Sequence, residues 1–165
     1  MKTITRSNIY LPMAAMIVMA ALSIPAAAQN QVPFKGAMQG NDVDTPGPSP
    51  GTVVVTTSGT GVATHLGQFS FNQMNTVNHA AMAATGSCHW VAANGDTIDT
   101  TLTGSAEPTA TPGVIAITEV HTIIGGTGRF AGAQGSFIVE RLASGVTFLT
   151  SGSFHGTITS PGAAH

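Results

Sequence analysis

The strongest constraint on this chain is a recurrence. From residue 52 onward, short runs rich in Thr, Val and Ile are cut repeatedly by glycine-containing turns. β-branched residues suit a pleated, half-buried surface, and glycine supplies the turns and bulges between such segments. The runs fall at residues 52–58, 68–71, 87–92, 96–103, 114–124, 135–142, 146–151 and 153–159. Asn94-Gly95 between two of them is a hairpin signal, because both residues tolerate positive φ. Gly59-Thr60-Gly61 interrupts the first run, with residues 62–66 continuing it past a bulge. Residues 74–84 fit either a strand or a short helix. About eight short strands with tight, sequential connections predict an all-β fold, a small antiparallel β-barrel whose closure removes exposed edges. A sandwich is the alternative.

The regular pattern does not begin at the N-terminus. Lys2 and Arg6 precede an uncharged apolar run at residues 11–24, and Ala26-Ala27-Ala28 offers small residues ahead of Gln29. That order of charge, apolar stretch and small residues is a secretory signal peptide cleaved between Ala28 and Gln29. The apolar run is shorter than the roughly 18–20 residues of a spanning helix. Residues 1–28 are therefore expected to be a signal, and the protein to be secreted or periplasmic. Residues 29–51 read as an N-terminal segment and a Pro/Gly-rich linker, since 41–51 carry three prolines and two glycines. Residues 52–162 are the expected barrel.

Charge narrows the partners. Beyond residue 28 the basic residues are Lys35, Arg129 and Arg141, against seven acidic ones, a net −4 with His neutral. A nucleic-acid binder needs a basic stripe to displace counterions, so no nucleic-acid partner is expected, nor a stable membrane anchor. Cys88 is the single cysteine and cannot form an intramolecular disulfide; a buried thiol is the expectation.

Residues 123–137 read IIGGTGRFAGAQGSF. Gly125-Gly126-Thr127-Gly128, followed by Phe130, Ala133 and Gly135, resembles the GGTGxFxxAxG signature of dirigent proteins and the related turn of allene oxide cyclases. The resemblance implies an allene oxide cyclase barrel-like, dirigent-like fold that holds apolar ligands, and a homo-oligomer. It also implies that Gly125, Gly126, Gly128, Phe130 and Gly135 form a structural turn, with Phe130 plugging one barrel end. Dirigent proteins carry an arginine of their active pocket after the alanine; this chain has Gln134. More broadly, His65-Leu66-Gly67, Ala93-Asn94-Gly95-Asp96 and the SGSFxGTIxSPG of residues 151–162 resemble an uncharacterised bacterial secreted family.

Chemistry-bearing residues are few. On the 114–124 run, Ile115, Ile117, Glu119, His121 and Ile123 share a face by the two-residue period. That face is mostly apolar and should point inward. Glu140 and Arg141 lie on the next strand and point opposite ways, so Glu119 has two alternative partners across the hairpin. Paired carboxylates in an apolar lumen would allow general acid work; a buried Glu held by one arginine would not. The candidate catalytic residues are thus Glu119, His121, Glu140 and Arg141. The six histidines show no HxH, HExxH or i,i+4 spacing, so no metal and no cofactor is expected. Cys88 and His89 are adjacent and face opposite sides of a strand, which argues against a Cys–His couple. The reading that follows is an exported barrel that binds a small apolar ligand or a protein partner without catalysis. Its alternatives are a cyclase/isomerase-like or dirigent-like activity in the lumen, and a structural envelope protein.

Overall fold

The computed structural model describes residues 30–159 and 161–162. Eight antiparallel strands follow in order: β1 (Gln31–Pro46), β2 (Thr52–Ala63), β3 (Gly67–Asn78), β4 (Ala83–Ala92), β5 (Thr97–Pro108), β6 (Val114–Gly126), β7 (Gly135–Ser144) and β8 (Leu149–Thr159). A single 3-10 turn, Gly128–Phe130, lies between β6 and β7. Each strand pairs with its neighbour in sequence, and β1 closes on β8 through pairs from Gln31↔Thr159 to Asn41↔Leu149. The fold is the expected closed barrel.

The first strand departs from the sequence-based expectation. Residues 31–46, assigned to an N-terminal segment and linker, form β1, which pairs along its length with β2 or β8. Its prolines do not break it, because Pro33 lies near the strand start and Pro46 ends it. Without β1 the barrel would not close. Residues 74–84 resolve into the end of β3, a turn, and the start of β4. Residues 62–66 divide, with β2 ending at Ala63 and a turn following. The register shifts once in the β5–β6 pair, between Asp99 and Thr100, where Ile124 is the extra residue of a bulge. The proposed signal and its Ala28–Gln29 cleavage site lie outside the described residues.

The lumen has two unlike halves. At one end, Phe34, Phe69, Phe71, Trp90, Phe137 and Phe154 converge, with ring centroids 5.1–6.2 Å apart. Eight strands enclose an interior just wide enough for side chains to fill, and six large rings fit because small residues face them. A Cβ at Gly59 or Gly61 would collide with Phe71 or Phe69, and one at Gly36 with Phe154. Phe130 and Leu66 cap this end, both fully buried. The turn that carries Phe130 is tied to the β4–β5 hairpin. Asp96 accepts hydrogen bonds from the Arg129 backbone N–H and the Asn94 side chain, and pairs with Arg129 at 3.5 Å. The opposite end carries smaller residues and is open. Outward positions are mostly Thr, Ser, Asn and Gln with scattered aliphatics, the reverse of the apolar exterior of a lipid-facing barrel.

Candidate functional site

The boundary between the packed and open halves is a layer of polar side chains. Glu119 on β6 points inward, as the alternation of that strand requires, and is 1% exposed. Across the β6–β7 pair it stands opposite Val139, with Arg141 on the diagonal, within reach of a long side chain. Arg141 grips it with both prongs of the guanidinium. Nε donates to Oε2 at 3.0 Å and Nη2 to Oε1 at 3.1 Å. From β3, the Gln73 and Asn75 amides donate to Oε1 at 2.8 and 3.2 Å. The remaining Arg141 nitrogen, Nη1, donates to Thr150 Oγ1 at 2.9 Å and lies 3.6 Å from Asp42 Oδ2. Asp42 Oδ1 in turn accepts from Thr57 at 2.6 Å. Six strands therefore contribute to one hydrogen-bonded layer.

Below this layer lies His121, fully buried, its ring stacked on Phe137 at 4.8 Å. Its Nδ1 is 3.0 Å from Thr100 Oγ1, which accepts from the Trp90 indole at 3.4 Å. Its Nε2 has no hydrogen-bond partner and stands 4.0 Å from Glu119 Oε2. The Thr100 hydroxyl donates to the Cys88 carbonyl at 3.3 Å, which leaves Oγ1 to accept from the indole and from His121 Nδ1.

These neighbours fix the charge state of Glu119. Burial alone would raise its pKa; the nearby His121 edge and the Arg141 guanidinium outweigh burial and hold the carboxyl at about 2. Since His121 is beyond hydrogen-bond reach, the bidentate Arg141 is the cause that geometry supports. An ionised carboxylate that already accepts four donor contacts is poorly suited to act as a general acid or base at neutral pH. Cys88 also faces inward and is buried; burial, then the Glu119 charge, push its thiol well above the usual range. His89 faces outward and pairs with Asp99 at 2.6 Å.

Above the layer the lumen opens into a cavity of about 360 Å³. Val53, Val55, Val77, Ile115 and Ile117 form its walls, Asn75, Glu119 and Arg141 its floor, and His79, Met82 and Phe148 lie at its mouth. Met82 and Phe148 both hold positive φ, 49° and 57°. His65, in the β2–β3 turn at the packed end, does so as well, at 66°. Two larger depressions lie against the barrel wall, lined largely by small and polar residues of the strands, and both are more open to solvent.

Of the four candidate residues, the structure brings together Glu119, His121 and Arg141. Glu140 is exposed on the outer face. The signature residues Gly125, Gly126, Gly128, Phe130 and Gly135 belong to the packed end, remote from the cavity, and Gln134 is exposed there. Among the described residues no group of three His, Cys, Asp or Glu side chains is placed to hold a metal ion. Sequence reasoning missed Gln73, Asn75, Asp42, Thr57 and Thr150. The parity of β3 held the signal for two of them, since Gln73 and Asn75 continue the inward face of Phe69 and Phe71.

Comparison with solved structures finds a pterocarpan synthase dirigent protein at TM-score 0.60, covering 94% of this chain and 99% of that one at 13% identity. The barrel is dirigent-like. At that identity the likeness concerns the fold alone. No protein-family model and no curated protein matches the sequence.

Proposed function

We propose that this dirigent-like barrel binds a small, largely apolar molecule in its open half, without chemistry at Glu119. One observation carries the reading: aromatic rings fill half of the lumen, while the other half is an aliphatic-walled cavity of about 360 Å³ over a polar floor. Apolar walls with a few fixed polar groups are the usual form of a small-molecule site. A plugged lumen throughout would have favoured a purely structural envelope role. The fold likeness supports a second reading, a dirigent-like activity in the same lumen. Against it stands the four-donor grip on Glu119, which leaves the carboxylate little freedom for proton transfer. Export remains part of the proposal, supported by the apolar run and small residues ahead of Gln29.

The test is thermal unfolding with and without a neutral apolar probe such as naphthylmethanol. At a hundredfold excess over its Kd, a ligand specific for the folded state adds about 2.7 kcal/mol. The shift should vanish in Ile117→Trp and in Val55→Phe, which fill the cavity from two different strands. An equal shift in wild type and in both variants, or no shift at all, would overturn the proposal.

A further inference from the structure

Resting on the reading of this cavity as a ligand site, we infer that its preferred ligand is a cation: an apolar amine whose ammonium group faces the polar floor and whose hydrocarbon body fills the aliphatic walls. Three carboxylates line the cavity, Asp42, Asp44 and Glu119, against one guanidinium, Arg141, with His79 at the mouth as the remaining titratable group. With His79 neutral the lining carries a net charge of −2. Arg141 does not reverse this locally. Two of its nitrogens are committed to Glu119, and the third to Thr150 and Asp42.

An independent observation concerns hydrogen bonds. Glu119 takes the amide N–H groups of both Gln73 and Asn75, so each amide must turn its carbonyl oxygen elsewhere. Neither carbonyl finds a partner; Gln73 lies outside the cavity lining, whereas Asn75, only 2% exposed, is part of the cavity floor. A buried acceptor without a donor is costly. At Asn75 the floor therefore leaves an acceptor without a donor. An ammonium offers three donors and no acceptor, which matches both the charge of the lining and the unpaired Asn75 carbonyl. A carboxylate ligand would meet the opposite on both counts, and a neutral alcohol would satisfy the hydrogen bond without the charge. Asp44 at the rim has no ion-pair partner among the described residues, since the pairs of Asp42 and Glu119 use Arg141.

The experiment is calorimetric titration of the protein with three probes of one skeleton: naphthylmethylamine, naphthylmethanol and naphthoate. At neutral pH and low salt the amine should bind about tenfold or more tightly than the alcohol, and naphthoate more weakly than either. Asp44→Asn should reduce the amine-to-alcohol ratio severalfold, and so should salt, because the rim is solvent-exposed and screened. Equal binding of amine and alcohol, or an unchanged ratio in Asp44→Asn, would refute the cation preference and leave the cavity reading intact. Preferred binding of naphthoate would refute it as well. No binding of any probe would overturn both.

Discussion

Replacing Glu119 with Gln tests the polar layer most sharply. The amide keeps the shape but removes the charge, leaving Arg141, 6% exposed, as a buried cation whose remaining anion is Asp42 at 3.6 Å. It also sets an N–H against at least one of the four donors that Glu119 now accepts. Removing one partner of a buried pair costs about 3–5 kcal/mol. Linkage gives a similar figure. A carboxyl whose pKa falls from 4.5 to about 2 on folding contributes about 3 kcal/mol at neutral pH. Because the folded value is depressed, that stability is present above the unfolded pKa and is lost as pH falls toward the folded one. Wild type should thus exceed Glu119→Gln by about 3 kcal/mol near pH 7, and the gap should close between about pH 5 and pH 2. Urea unfolding of both proteins at several pH values measures this, provided each transition is two-state. A pH-independent gap, or none, would refute the assignment of Glu119 to a stabilising buried pair.

Three further outcomes are expected. Gly128 sits at φ 56°, and a Cβ there would collide with the Asp96 carboxylate, so Gly128→Val should cost about 1–3 kcal/mol in chemical unfolding; unchanged stability would contradict a structural turn. Gly86 leaves room for the Asn75 amide, whose Oδ1 a Cβ would strike, so Gly86→Ala should cost about 1–3 kcal/mol and weaken probe binding in the same titration. Cys88 should resist a thiol-specific disulfide reagent in the native protein and react readily in denaturant, and rapid native labelling would contradict its burial.

Period-two alternation made part of this molecule legible in advance. It placed Ile115, Ile117, Glu119, His121 and Ile123 on one inward face of β6 and Phe69 and Phe71 on one face of β3. It offered Arg141 as a partner for Glu119, since only one of Arg141 and Glu140 can face in. The same rule does not single out Gln73 and Asn75, because polar residues on a strand are ordinarily the solvated ones. Their burial depends on Glu119, 44–46 residues away, which local sequence does not reveal. β1 was obscured for a related reason. Its partner β8 lies at the far end of the chain, and its Asp, Pro and Gly content imitates a loop. Asp42 and Asp44 are inward on that strand because the open half of the lumen is partly polar. The glycine signature marked the fold and the Phe130 plug, and its position at the packed end explains why it gave no view of the cavity.

Methyl NMR during titration with an apolar probe tests the central claim most directly. Binding in the open half should shift the methyl resonances of Val53, Val55, Val77, Ile115 and Ile117, which line the cavity. Ile98, Val139 and Ile158, buried in the packed half, should barely move. Shifts centred instead on the exposed Val62, Val120 and Ile124 of the outer wall would contradict binding in the lumen.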